Sequence, residues 1–514
     1  MTRLGDHFAS FHALRCRRLM LGTAVAAGIA LAPAGPLATP PTTAQAELSR
    51  GQALFADAKY REAVRSLIRA REFDPSLSTP VTRAVVRALL RVGDFSRAET
   101  EASTLVTSTV DADDLALHGE TLWSVGHFEE ANARFAAALR LDSDNPPAMH
   151  GMARVLDARG KSVEALALVE KSIELESETP EFRHTRAYIL ERMGHYPVAA
   201  QELERYLTLL PVKGFKEQHR LAKARIKFLR HFGDRTPLEM TEQVRTMVHV
   251  IPFRLERDKI LVRAKINNRL SHDVVLDTGA EMTVLSEDAA QRAQVYSVAE
   301  TLSAGVGDVG LRHLKLARIA SLEVGTLRVA HVPAMIKDPA LKRMPVAEID
   351  AISPLALGLS MRVDYAKKQL IIGRNLPVQA GTPAMEAPLW MHRLATVRGR
   401  VNGDRLGAFV VDTGGQAISI SRSSAIGLEQ LGRFRRIPLR VYGSSGWDRD
   451  AFLLPGVDLE VDDVHMAQTS LVVLNLRAPS VLLGYELGGI LGHKFLSRYR
   501  VSLDLDTSLM RLDD

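Results

Sequence analysis

Hydrophobic and polar positions follow two different periods along this chain. Through residues 47–211 apolar side chains recur at helical spacing with no strand-like alternation, which predicts an all-α first half. From Val248 onward the period becomes two. Residues 248–255 and 260–266 read as strands, and Asn267-Asn268 as the hairpin turn before a further strand that ends at Asp277. The same order returns in residues 394–401, the turn Asn402-Gly403-Asp404 and the strand into Asp412. Asn-Gly is a strong hairpin signal, because both central residues of a type I′ turn need positive φ.

The helical half repeats. Small residues recur at Ala63, Ala98, Ala131, Ala165 and Ala199, in steps of 35, 33, 34 and 34. Glycines recur in phase at Gly93, Gly126, Gly160 and Gly194, with Ala58 at the matching place of the first unit, and aromatic residues precede most of the alanines at Tyr60, Phe95, Phe128 and Tyr196. This pattern resembles the tetratricopeptide repeat family, whose unit is a helical hairpin of about 34 residues. The resemblance implies a solenoid of about five repeats with a concave surface for a peptide or partner protein. His118, His127, His184 and His195 lack metal-ligand spacing and are expected at the surface or at helix ends. A capping helix and linker are expected over residues 212–240, where Gly233-Asp234-Arg235-Thr236-Pro237 carries the stop signals.

The chemistry-bearing stretches lie in the β half. Val274-Val275-Leu276-Asp277-Thr278-Gly279-Ala280-Glu281-Met282-Thr283-Val284-Leu285 has its echo 135 residues later in Phe409-Val410-Val411-Asp412-Thr413-Gly414-Gly415-Gln416-Ala417-Ile418-Ser419-Ile420. The first stretch resembles the active-site motif of retropepsin-like aspartic peptidases, and the likeness extends over roughly residues 248–514. It implies two β-rich lobes that bring Asp277 and Asp412 to one water molecule. Two carboxylates about 3 Å apart cannot both ionise readily, so one proton is shared; the charged partner serves as base and the protonated one polarises the scissile carbonyl. Thr278 and Thr413 are expected to bond across the lobe interface, while Gly279 and Gly414 permit a backbone turn that a Cβ would obstruct.

Such enzymes close flaps over substrate. Ser303-Ala304-Gly305-Val306-Gly307-Asp308 and Tyr442-Gly443-Ser444-Ser445-Gly446 are the candidates, with Gly305 28 residues after Asp277 and Gly443 31 residues after Asp412; ordinary glycine-rich hairpin tips are the bland alternative. The family also packs an apolar-apolar-Gly segment beneath each catalytic loop. Gly489-Ile490-Leu491-Gly492 supplies the second, but the first is Asp350-Ala351-Ile352-Ser353-Pro354, with Ser353 in place of glycine; Ile371-Ile372-Gly373 is rejected because it lies 96 residues after Asp277. A second departure is Ile418 at the position of Thr283.

Composition narrows the setting. An apolar content of 46% and a charged content of 25% are those of globular proteins. The formal charge of +6 falls to +3 once the first 46 residues, with four arginines against Asp6, are set aside, which gives no footprint for nucleic acid. The denser basic run within residues 213–231 reads as a solvated helix face. Residues 1–46 read as an export signal: basic residues to Arg18, a 14-residue apolar segment too short to span a bilayer, and Ala44-Gln45-Ala46 as the cleavage site. The only cysteine, Cys16, lies inside it, so cysteine chemistry and disulfides are excluded from the remainder. Neither a phosphate loop nor a His-Glu-x-x-His helix occurs, and no cofactor or metal is expected.

These readings predict a multidomain α-then-β chain: a signal over residues 1–46, a tetratricopeptide solenoid over 47–211, a cap and linker over 212–240, and peptidase lobes over 241–380 and 381–514. The expected function is a periplasmic or secreted aspartic endopeptidase, a monomer without a membrane span once the signal is cleaved, whose solenoid groove docks substrate or partner. Two alternatives stand beside it: lobes that pair with copies in another chain, and a non-catalytic binding protein on a degenerate protease fold, motivated by Ser353, Pro354 and Ile418.

Overall fold

The computed structural model describes residues 43–108, 111–307, 310–337, 350–403, 405–429 and 436–514. Most of the expected signal, with Cys16, lies outside the described residues, as do Asp308 of the first flap candidate and Asp404 of the second turn; Ala44-Gln45-Ala46 falls within the first helix.

Five helical hairpins come first. They are α1 (Thr43–Ala56) with α2 (Tyr60–Phe73), α3 (Ser78–Val92) with α4 (Phe95–Ser108), α5 (Ala112–Ser124) with α6 (Phe128–Leu141), α7 (Pro146–Ala158) with α8 (Ser162–Leu175), and α9 (Pro180–Arg192) with α10 (Tyr196–Leu209). A capping helix, α11 (Lys216–His231), follows. The recurring alanines Ala63, Ala98, Ala131, Ala165 and Ala199 have no exposed surface, because they sit where two helices cross too closely for a longer side chain. The in-phase glycines take φ between 69° and 83°, and Ala58 takes 59° at the matching place. Each hairpin thus turns through a left-handed residue, the usual way to satisfy the last carbonyls of a helix before the chain reverses. Two of the histidines depart from expectation. His127 and His195 stand at helix N-termini, but His118 is buried inside α5, and His184 packs against Tyr206 with ring centroids 5.2 Å apart.

The β half holds two eight-stranded sheets with the same strand order. The first runs Arg254–Glu256, Lys259–Ile266, Leu270–Leu276, Ala351–Ile352, Thr283–Ser286, Leu327–Lys337, Leu311–Val324, Ser297–Ala304. The second runs Trp390–His392, Leu394–Val401, Arg405–Val411, Leu487–Leu491, Ile418–Ser421, Val464–Leu474, Phe452–Val461, Ile437–Pro438. The expected strand over residues 248–255 is in fact two, broken at Phe253, because its halves serve different sheets. Asn267-Asn268 and Asn402-Gly403 all take positive φ, as a type I′ hairpin requires.

A third, six-stranded sheet joins the lobes. Its order is His249–Pro252, Gln369–Gly373, Ser360–Asp364, Arg500–Asp504, Leu509–Asp513, Met385–Pro388, three strands from each lobe. At its centre Met361, Arg362 and Val363 pair with Leu503, Ser502 and Val501. One apolar core runs from Ile251 to Leu512 through both lobes and this shared sheet, so the two lobes pair within a single chain.

The solenoid packs directly on the β half. Trp123, 1% exposed, lies against Phe128 and His392 with centroids at 4.7 and 5.3 Å, and Phe128 in turn touches Trp390 and Tyr485. Trp390 Nε1 donates to Glu129 at 2.8 Å, and Glu486 N–H donates to Ser124 O at 2.8 Å. A Cβ on Gly126 would stand 2.9 Å from Ala408 Cβ, so the α5–α6 turn approaches the second lobe as closely as a backbone can. Trp123→Ala should cost about 3–5 kcal/mol, the usual loss for emptying so large a buried site. Denaturant unfolding of the full chain measures it; a loss below about 1 kcal/mol would mean that the solenoid and second lobe part in solution.

Candidate active site

Each Asp-Thr-Gly loop is built from a strand that ends against a second, parallel strand. Leu270–Leu276 runs beside Ala351–Ile352, and Asp277 N–H donates to Ile352 O at 2.9 Å. Arg405–Val411 runs beside Leu487–Leu491, and Asp412 N–H donates to Leu491 O at 3.1 Å. This register makes Ser353 the counterpart of Gly492, and places Ile371-Ile372-Gly373 in the shared sheet, away from the loop.

The two loops meet face to face. Thr278 N–H donates to Thr413 Oγ1 at 3.1 Å, and Thr413 N–H to Thr278 Oγ1 at 3.0 Å. The hydroxyls go on to donate to the far strand ends, Thr278 to Val411 O at 2.5 Å and Thr413 to Leu276 O at 2.8 Å. Both threonines are 1% exposed, so the four bonds are made away from water, where an unmade bond costs most. Gly279 and Gly414 do not take positive φ, and the obstruction a Cβ would meet there comes from the opposite loop. A Cβ on Gly279 would stand 2.8 Å from the Asp412 carboxyl carbon, and one on Gly414 2.5 Å from that of Asp277. Glycine serves close approach between lobes, each loop giving room to the other loop's acid.

The two acids are not equivalent. Asp277 Oδ1 accepts from Gly279 N–H at 2.9 Å, whereas Asp412 Oδ1 accepts from both Gly414 and Gly415 N–H at 2.8 Å. Amide donors favour the charged form, so Asp412 is better suited to hold the pair's negative charge. Burial, and then the neighbouring Asp412 carboxylate, push Asp277 up to about 7. The Lys259 cation opposes that rise; its Nζ bonds Gly414 O across the lobe boundary. Lys259 carries no motif and only the fold brings it to the dyad.

The two departures noted in the sequence have different weights. Thr283 is buried, yet its Oγ1 finds no partner among the described residues, so Ile418 at the equivalent place forgoes no hydrogen bond. Ser353 Oγ is likewise buried without a partner among them. Pro354 matters more. Its counterpart His493 donates N–H to Gly415 O at 2.8 Å, and Lys494 to Gln416 O at 3.0 Å, tying the second Asp-Thr-Gly loop to the helical turn His493–Leu496. Proline has no N–H to give.

The flap candidates are two hairpin tips that touch. Gly305-Val306-Gly307 caps the strands Ser297–Ala304 and Leu311–Val324, and Tyr442 and Gly443 lie in a small two-stranded hairpin with Gly446–Asp448. Gly305 N–H donates to Ser445 Oγ at 3.0 Å, Ser445 N–H to Val306 O at 2.9 Å, and Arg312 to Ser444 O at 2.6 Å. A Cβ on Gly307 would collide with Ser445 O and one on Gly443 with Val306 O, so these glycines let the tips approach backbone to backbone.

Comparison with known proteins agrees with this architecture. Residues 262–361 match the family described as gag-polyprotein putative aspartyl protease, and residues 122–189 match the tetratricopeptide repeat. The chain therefore combines tetratricopeptide repeats with a following retropepsin-like aspartyl protease domain. Similar solved structures include a thermophilic tetratricopeptide-repeat protein of Thermus thermophilus, at 22% identity over 36% of this chain and 98% of that one, with a TM-score of 0.32. Others are PilF of Pseudomonas aeruginosa, at 21% identity, 38% and 86% coverage and a TM-score of 0.29, and MamA of Desulfovibrio magneticus, at 15%, 33% and 96%, and 0.26. No curated protein is significantly similar to the chain. Among the described residues there is no cluster able to hold a metal ion and no helix long and apolar enough to cross a membrane.

The raised Asp277 carboxyl has a consequence for stability. Its value of about 7 lies above the ordinary 3.8, so the folded chain holds this proton more tightly than the unfolded one. The cost of ionising it grows as pH rises from about 4 to 7 and is complete above that. Asp277→Asn keeps an oxygen for Gly279 N–H and removes the cost. It should stabilise the fold by about 2 kcal/mol near pH 8 and leave it unchanged near pH 3.5. Thermal unfolding at both pH values checks this; equal shifts at the two would show that charge is not the cause.

Proposed function

We propose that the chain is an exported aspartic endopeptidase with one active site formed by Asp277 and Asp412. The observation that carries this reading is the reciprocal threonine lock between the two loops, whose Asp277 and Asp412 carboxyls are hydrogen-bonded neighbours. With one proton between them, Asp412, held by two amides, keeps the charge and takes a proton from water; Asp277 keeps its proton and donates to the carbonyl oxygen of the scissile peptide. Water attacks the carbonyl carbon as the carbonyl oxygen takes the Asp277 proton, giving a gem-diol; when the C–N bond breaks, the proton gathered by Asp412 passes to the leaving amine and one hydroxyl proton of the gem-diol returns to Asp277. The hairpin tips at Gly305 and Ser445 part to admit the peptide and rejoin to exclude solvent. Export is proposed from the basic and apolar N-terminal segment alone.

Cleavage of an unbiased peptide mixture tests the reading. Either Asp277→Asn or Asp412→Asn alone should lower kcat at least about a thousandfold, since neither acid works without the other. Activity should fall as pH rises through about 7, where Asp277 loses the proton it must donate. Equal cleavage by the wild type and both variants would remove the catalytic reading and leave the non-catalytic binding protein.

A further inference from the structure

The first catalytic loop is held differently from the second. Where His493 and Lys494 bind the second loop, the first lobe offers Ser353, Pro354 and a short 3-10 turn at Leu355–Leu357. The first loop is instead gripped from outside its lobe. Arg393 clasps Glu281, four residues after Asp277, through Nε to Oε2 at 2.9 Å and Nη2 to Oε1 at 3.0 Å. Met282 is buried in an apolar cluster whose other members come mostly from the solenoid, including Leu190 of α9 and Phe228 of α11. Ala299 of the first flap strand belongs to the same cluster.

Arg393 is in turn held by the solenoid. It sits at the turn after Trp390–His392 with φ of 63°, and its N–H donates to Tyr188 Oη at 3.0 Å. Arg192 donates to Met391 O at 2.9 Å. The His392 ring between these two bonds packs against Trp123 at 5.3 Å and Tyr188 at 5.5 Å. The solenoid thus binds Met391-His392-Arg393 as it would a peptide: a donor, an acceptor and a side chain, each with a partner.

We propose that Tyr188 is a positioning residue of the active site, fixing Arg393 so that Arg393 holds the Asp277 loop in place of the backbone bond that Pro354 cannot make. The proposal rests on the peptidase reading for its effect on rate, but not for its effect on the loop. Tyr188→Phe in the full chain removes one hydroxyl and keeps the ring against His392. Backbone amide exchange at residues 279–283 should quicken about tenfold, with residues 414–418 unchanged. In peptide cleavage kcat should fall about tenfold with KM within about twofold. The alkaline limb should move to lower pH, because a looser loop lets water reach Asp277 and undoes the burial that raises it. Arg393→Lys, which keeps charge but loses the fork, should fall between wild type and Arg393→Met. Unchanged exchange at 279–283, or exchange quickened equally in both loops, would overturn the proposal. If the wild type cleaves nothing, the peptidase reading fails while the exchange comparison still decides whether Tyr188 holds the loop.

Discussion

The four hydrogen bonds made by Thr278 and Thr413 are the constraint on which the site depends. Each threonine uses its hydroxyl twice, accepting from the opposite loop's amide and donating to the opposite strand's last carbonyl. Neither loop can shift without leaving buried donors and acceptors of the other unmade. The shared six-stranded sheet supplies the base for this lock, since its central pairing joins the two lobes. Close approach then demands Gly279 and Gly414, and burial, with the neighbouring carboxylate second, raises Asp277.

The two lobes follow one plan with unequal execution. The second loop has an extra amide on its acid and a helical turn behind it. The first has an acid with one amide, a proline beneath it, and a salt bridge to Arg393 that leads into the solenoid. Unequal environments push two carboxylates toward different charge states, which is what an acid and a base sharing one water require. The solenoid face bearing Trp123 and Tyr188 is covered by this chain's own hairpin.

Much of this was legible in the residues. The repeat alanines and glycines announced where helices cross and turn, because only small or left-handed-tolerant residues serve there. The Asp-Thr-Gly stretches and their hairpins could be aligned from residue order and spacing, and the Ser353 segment from the family resemblance together with its distance from Asp277. Lys259, Arg393 and Tyr188 could not be found this way. They are ordinary residues of a strand, a turn and a helix, and their partners lie 155, 112 and 205 positions away in the chain. The reason for Gly279 and Gly414 was also hidden, because the obstruction is a carboxylate from the other lobe and not the loop's own backbone.

By itself, then, the sequence determined the class of each half and the identity of the paired acids, since these depend on local period, turn chemistry and residue type. Tertiary structure decided the rest: that both lobes share one sheet and core, that one acid is held by more amides than the other, and that the solenoid closes on the first loop. Those outcomes depend on distances between segments far apart in the chain, and no local pattern encodes a distance across an interface.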